Sequence, residues 1–479
     1  MPAFDSRSAG FRYAAVAGLA LALTGFAGGE RVLIFLPGTQ PGTVNDADNV
    51  VLCRSCHSSD EPSRPVAIGS EWSGSMMAQS ARDPIFYAAL AVANKYDFAA
   101  GEFCIRCHSP TGWLAGRSKS PTGQTLTGSD FDGVQCDYCH RSVDPMAPDS
   151  SAPGSIYPVP GYGNGMHTFQ RFATPKRGPY DSVSSAHATM ADEFQRSSAL
   201  CGVCHDVSNP FQTGGQDRIF VPPSEYAPLE RTYSEWLLSD FSKDGENGSC
   251  QSCHMKPTPG YGSVVASSPM RMDLARHDLT GGNSFVPGII RDFWPGLDSA
   301  ALAGGSLRAV ATLRNAAELA LVARRIDTAV VATVRVTNLT GHKLPTGYPD
   351  GRRMWIRLTG RDAQGDTIFE SGKYDADSAL LVLDDRIRIY QALYGMRDST
   401  ARSYNLEPGF SLHFVLNDTL LLDNRIPPRG FTNAAFAERR AAPVGAAYAD
   451  SQYWDEAEYI LPAKVTEVTA GLYYQTISR

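Results

Sequence analysis

All ten cysteines of the 479-residue chain stand in pairs with two residues between them: Cys53/Cys56, Cys104/Cys107, Cys136/Cys139, Cys201/Cys204 and Cys250/Cys253. Each pair is followed at once by a histidine: His57, His108, His140, His205 and His254. Two thiols at this gap can add to the two vinyl groups of one haem, and the adjacent imidazole then turns onto the iron as its proximal ligand. One cysteine pair alone would suit zinc or redox chemistry equally well. Five copies that all carry the histidine, with no cysteine left over for a disulfide, point to five covalently bound haem c groups.

A haem iron has a second axial position, and five further histidines could supply it: His167, His187, His277, His342 and His413. His187, in Ser-Ser-Ala-His-Ala-Thr, is expected on a helix that runs into Cys201. His277 precedes Gly281-Gly282, where missing side chains would let backbone approach a flat macrocycle. His342, in Thr-Gly-His-Lys-Leu-Pro-Thr-Gly, is expected in a tight loop between strands, a rigid place from which to present a ligand. His167 lies in the loop Gly-Asn-Gly-Met-His. His413 alternates with apolar residues over 410–416 and reads first as a structural histidine inside a strand. Met77 is its rival, because a His/Met pair would raise the potential of one haem. The expected iron ligands are therefore the five proximal histidines with His167, His187, His277, His342 and Met77.

These residues need elements to hold them. Arg7 and Arg12 followed by the apolar stretch 13–27, with Gly25 and Ala27 near its end, read as an export signal within 1–37. The stretch is short for a membrane span, which needs about 20 apolar residues, and an uncleaved N-terminal anchor is the alternative. Residues 38–296 form the expected pentahaem domain, mainly α-helical and irregular, with haem serving as much of its core. Within it Asp83 is a good N-cap with Pro84 at the first helical position. Tyr226, Leu229, Tyr233, Trp236 and Leu237 predict a helix over 224–241. A linking helix is expected over 297–316. From 317 to 479 the apolar period changes to that of strands, at 330–337, 354–358, 367–370, 412–416 and 472–476, which predicts an all-β, sandwich-like domain.

The formal charge of −7 and a pI near 5.8 argue against nucleic acid, whose phosphates need a basic surface. Gly365 and Gly372-Lys373 have the wrong spacing for a phosphate-binding loop, and no nucleophile motif is present.

The segments Trp72-Ser-Gly-Ser-Met-Met-Ala, Ala81-Arg-Asp-Pro and Leu200-Cys-Gly-Val-Cys-His-Asp resemble the multihaem cytochromes related to the tetrahaem electron carrier of ammonia oxidation. Gly341-His-Lys-Leu-Pro-Thr-Gly-Tyr-Pro-Asp-Gly-Arg-Arg-Met-Trp and Asp423-Asn-Arg-Ile-Pro-Pro-Arg-Gly resemble a C-terminal domain of related multihaem proteins. The resemblance covers most of the chain after residue 38. In that group a histidine often stands where this chain has Met77, so the departure either makes one haem His/Met or leaves it another partner. The resemblance implies electron transfer, with redox proteins or other cytochromes as partners. Two alternatives stand beside a pure carrier. One is an oxidoreductase acting on a small nitrogen or sulfur compound at one open haem. The other is an oligomeric subunit of an extracellular haem wire. No Cys-x-x-Cys-Lys motif occurs, which argues against the common pentahaem nitrite reductase type. The expected location is the periplasm, the outer face of the cytoplasmic membrane or the cell surface.

Overall fold

The computed structural model describes residues 36–478 apart from 97–99, 154–158, 181–185 and 210–226. The expected signal or anchor thus falls outside the described residues, save for its last two positions. Residues Ile34–Arg479 make one compact unit. Among the described residues no helix is long and apolar enough to cross a membrane.

The first part of the chain is a series of short helices built around the cysteine motifs. Residues i, i+3 and i+4 share one face of a helix, so a helical turn aims both thiols and the imidazole the same way. Helix α1 (Val50–His57) carries the first motif and is capped by the Asn49 side chain, which accepts from Val51 N. Helix α2 (Pro84–Tyr96) begins at Pro84, with Asp83 Oδ1 accepting from Ile85 N at 2.8 Å. Helix α3 (Ala100–His108), α4 (Cys136–Cys139), α5 (Ala199–Gly202) and α7 (Cys250–His254) carry the other four motifs. Between the last two lies α6 (Thr232–Leu237), much shorter than the helix expected over 224–241. Pro228 disfavours helix in the residue before it, and Pro228–Glu230 pairs instead with Val207–Ser208 as a strand.

Two other local expectations fail for similar reasons. His187 is not helical; it precedes a short strand, Thr189–Ala191, which pairs in parallel with Lys176–Gly178. Its Ser- and Thr-rich surroundings compete poorly for helix, and the ladder with 176–178 takes the backbone bonds. His413 does not lie in a strand: its carbonyl accepts from Leu416 N and Asn417 N, the pattern of a turn.

Helix α8 (Ser299–Arg314) is capped by Asp298 and packs so closely on the turn at Gly74 that a Cβ on Gly305 would lie 1.9 Å from Gly74 O. Beyond it the chain is rich in strands. β1 (Ala317–Ile326), β2 (Ala329–Asn338) and β7 (Trp454–Pro462) form one antiparallel sheet in the order β7-β2-β1. In the second sheet β8 (Glu467–Gln475) pairs with β3 (Arg353–Arg361) along the full length of β3. The other edge of β3 is shared by β5 (Ile389–Met396) and β4 (Thr367–Ser371), and β6 (Thr419–Asp423) pairs with β5. Alternate residues of β2, from Val330 to Asn338, are buried, as its sequence alternation requires. Val334 and Tyr459 of the first sheet share one apolar cluster with Ile356, Leu358 and Tyr390 of the second.

Candidate haem sites

The structure brings three of the five proximal histidines face to face with a second histidine. Ring centroids are 6.3 Å apart for His57 and His187, 6.3 Å for His140 and His277, and 6.4 Å for His254 and His342. Two imidazoles in contact would sit closer. A metal–imidazole bond is about 2 Å, so two such bonds plus half of each ring fill this separation. The three gaps therefore fit one iron each. The partner histidines come from a bend (His187), from the segment after the hairpin of Pro257–Tyr261 with Met270–Ala275 (His277), and from the loop between β2 and β3 (His342).

Hydrogen bonds aim these rings. The Nδ1–H of His57 donates to Gly262 O, that of His140 to Arg177 O and that of His254 to Thr280 O, each at 2.6 Å. His277 and His342 donate to Ala275 O at 2.9 Å and Lys343 O at 3.0 Å. With Nδ1 committed, Nε2 is left to face the partner ring. Burial lowers the pKa of His57, His140 and His254, and pushes His277 and His342 down to about 4, so these rings are held in the neutral form that binds metals. At Gly282 a Cβ would lie 3.0 Å from both Leu313 and Tyr474, whereas one on Gly281 would meet open space.

The His342 loop is fixed to the part that carries the cysteine motifs by a buried set of charges. Lys343 Nζ bonds Asp423 Oδ2 at 2.7 Å, and Arg425 reaches both Asp423, at 2.7 Å, and Glu235 of α6, at 3.1 Å. Glu235 also accepts from Lys343 N at 3.1 Å and from the Thr346 hydroxyl at 2.7 Å. Two cations and two carboxylates thus balance each other with nearly all their polar atoms engaged, which makes such burial tolerable.

The other two motifs are different. His108 stacks on Phe86 with centroids 4.0 Å apart, and its Nδ1 is 3.4 Å from Ser80 O. His205 donates to a carboxylate, Glu230 Oε1, at 3.2 Å. Burial works against the charged form of His205, but Glu230 raises its pKa to about 9. Among the described residues neither ring faces a second imidazole in the way of the three pairs.

His167, Met77 and His413 do not form such pairs among the described residues. His167 is fully buried with Trp113, Tyr138 and Phe169 around its ring, and it lies within hydrogen-bonding reach of the Cys204 thiol. Its Nδ1 lies 3.4 Å from Tyr138 OH and its buried Nε2 has no hydrogen-bond partner, and among the described residues no motif histidine faces it at the spacing of the three pairs. Met77 packs on the Val134, Tyr138 and Phe169 cluster, and its carbonyl accepts from Val134 N and from Ser80 Oγ. Its turn therefore supports His108 from the Nδ1 side. His413 bonds Tyr96 OH through Nε2 at 3.3 Å, in keeping with a structural role.

The motifs also meet one another. Thiols come within hydrogen-bonding reach in the pairs Cys53/Cys136, Cys107/Cys204 and Cys201/Cys250, and all ten are free of disulfides. No motif spacing in the sequence could have announced these neighbours, or Glu230, because each joins residues far apart in the chain.

Residues 52–141, which hold the first three motifs, match the family described as cytochrome c554 and c-prime. Over most of its length the chain has a fold similar to that of a penta-haem cytochrome c552 from Thermochromatium tepidum. The TM-score is 0.55 at 18% identity, covering 90% of this chain and 93% of that one. No curated protein sequence matches the chain. Together the two likenesses support a multihaem c-type cytochrome, a class that holds haem covalently and passes electrons to redox partners.

Proposed function

We propose that the chain is a pentahaem c-type cytochrome whose function is electron transfer. The observation that carries this reading is the set of three histidine pairs, each spaced for one iron. Cys53 and Cys56, Cys104 and Cys107, Cys136 and Cys139, Cys201 and Cys204, and Cys250 and Cys253 would hold the five haems. His57 with His187, His140 with His277 and His254 with His342 would ligate three of the irons, and His108 and His205 the other two. Haem supplies the one-electron chemistry; the chain attaches it, aims the imidazoles and excludes water. Contacts between motifs support a connected path from the first through the third and fourth to the fifth, with the second joined at the fourth; Cys139 and Cys204 are also close enough to interact. The partners would be redox proteins or other cytochromes outside the cytoplasm. The reading includes kinship with the tetrahaem carrier of ammonia oxidation and a β-sandwich from 317, which two sheets sharing one core support.

Intact mass of the denatured protein should show the chain plus five haems; three or fewer after proper maturation would sink the reading. Substituting His187, His277 or His342 by alanine should each turn one low-spin ferric haem high-spin, whereas His413→Ala should leave all spectra unchanged.

The placement of His108 and His205 favours a second reading, an oxidoreductase acting on a small nitrogen or sulfur compound at an open haem. Stoichiometric carbon monoxide binding by the unaltered reduced protein at one or both of these haems would select it over the pure carrier.

A further inference from the structure

Four of the five proximal imidazoles have a backbone carbonyl beside Nδ1: Gly262, Ser80, Arg177 and Thr280 for His57, His108, His140 and His254. His205 alone has a side-chain carboxylate there, Glu230 Oε1 at 3.2 Å. A carbonyl fixes the tautomer of an imidazole. A carboxylate also draws the Nδ1 proton toward itself, and so makes Nε2 a more basic, more anionic donor to its metal.

The carboxylate is built into place. Thr232 Oγ1 donates to Glu230 Oε1 at 3.1 Å. Thr232 in turn receives Gly347 N at 3.0 Å and lies 3.0 Å from Thr346 Oγ1. Arg352 holds the same loop, its guanidinium donating to Thr346 O at 2.5 Å. Glu230 is thus held from the loop between β2 and β3, the loop that also presents His342.

We propose that Glu230 is a positioning residue that gives the iron bound by His205 a carboxylate-backed imidazole. It thereby lowers this iron's reduction potential relative to an otherwise equal haem whose imidazole bonds a carbonyl. The sign follows from charge: electron density pushed onto the iron stabilises the ferric over the ferrous state. This rests on the reading above that His205 is an iron ligand. It adds a reason why one of the five irons differs from the rest, and it assigns the cause to a residue outside every haem motif.

The test uses the complete holoprotein. Glu230→Gln places an amide carbonyl where the carboxylate was and so recreates the acceptor of the other four sites. Potentiometric titration followed by electron paramagnetic resonance should show one haem shifted to higher potential and four unmoved. Glu230→Asp should return part of the shift. Thr232→Val, which loosens Glu230 without touching His205, should move the same haem in the same direction by less. An unmoved midpoint in Glu230→Gln with five haems attached overturns the proposal. Should Glu230→Gln fail to retain the haem at Cys201 and Cys204, an unmoved midpoint in Thr232→Val overturns it instead. Absence of haem at Cys201 and Cys204 in the unaltered chain would fail the haem assignment itself; a retained haem with an unmoved midpoint fails this proposal alone.

Discussion

From Ala316 onward fifteen buried residues gather in one cluster drawn from two sheets. Before it, the described apolar side chains are divided among clusters of three to five, such as Phe86, Leu90, Ile105, Trp113 and Leu126. A small core stabilises a fold weakly, because buried apolar area is the main favourable term. The earlier region compensates in two ways. It ties backbone to buried side chains, as where Arg106 bonds Leu36 O, Pro37 O and Gly165 O. And it arranges its cysteine turns around groups that would be bonded covalently to it. The later region needs no such help, which leaves its loops free to lend residues to the earlier one.

The largest expected effect tests this contrast directly. Chain matured without haem should lose the fold of residues 36–316 but keep that of the strands. Limited proteolysis should leave a fragment beginning near 317, and equal digestion of both regions would break the comparison. Next comes the charged joint between them. Asp423→Asn leaves Lys343 and Arg425 with too little negative charge in a buried place, and should cost about 3–5 kcal/mol in urea unfolding followed by circular dichroism. A cost under about 1 kcal/mol would mean that water reaches the cluster. Ile356→Ala, in the continuous core, should cost about 2–5 kcal/mol. Ile105→Ala, in the small cluster beside Cys104, should cost less in the holoprotein, because thioether bonds and not packing would hold that turn. Equal costs would show that the small clusters matter as much as the large one.

The smallest effect is one of pH. Burial raises the pKa of Asp350 from 3.8 to about 6, only partly offset by the Tyr348 hydroxyl at 3.2 Å, and Asp350 Oδ1 has no hydrogen-bond partner. Between these two values the folded chain binds the proton more tightly than the unfolded one, so this group's contribution to stability falls as pH rises through the window. Asp350→Asn should gain stability over its parent from pH 4 to pH 6 and hold the gain above. A constant difference across the range would exclude the assignment.

The cysteine turns were legible because their chemistry is local: five residues define each one. Val330 to Val336 was legible for the same reason, since alternation is a property of the strand itself. His277 and His342 stood out through their neighbours, and both face a proximal ring. His187 also faces one, although from a bend and not from the helix expected to bring it there. Local pattern failed where distant segments compete for the same atoms. His413 alternates like a strand residue, yet Ser411 and the turn after it take its backbone bonds. Met77, which takes the place of a ligand in similar sequences, sits on a turn that Val134 and Ser80 fix beside His108. Glu230 carried no signal at all, being one glutamate among many until the fold sets it beside His205.

Every second histidine comes later in the chain than the motif it faces: His187 after His57, His277 after His140, His342 after His254. If haem is attached at these turns, a chain delivered N-terminus first would expose each turn before the imidazole that closes it arrives. Closure would then proceed in the order first, third, fifth motif. The last closure waits for a loop whose shape depends on β2, β3 and the Asp423 cluster. A chain that misfolds or stops short in its strands would carry all its cysteine turns and still leave His254 without its partner, so on the proposed reading this final pair would report on the completeness of the whole molecule.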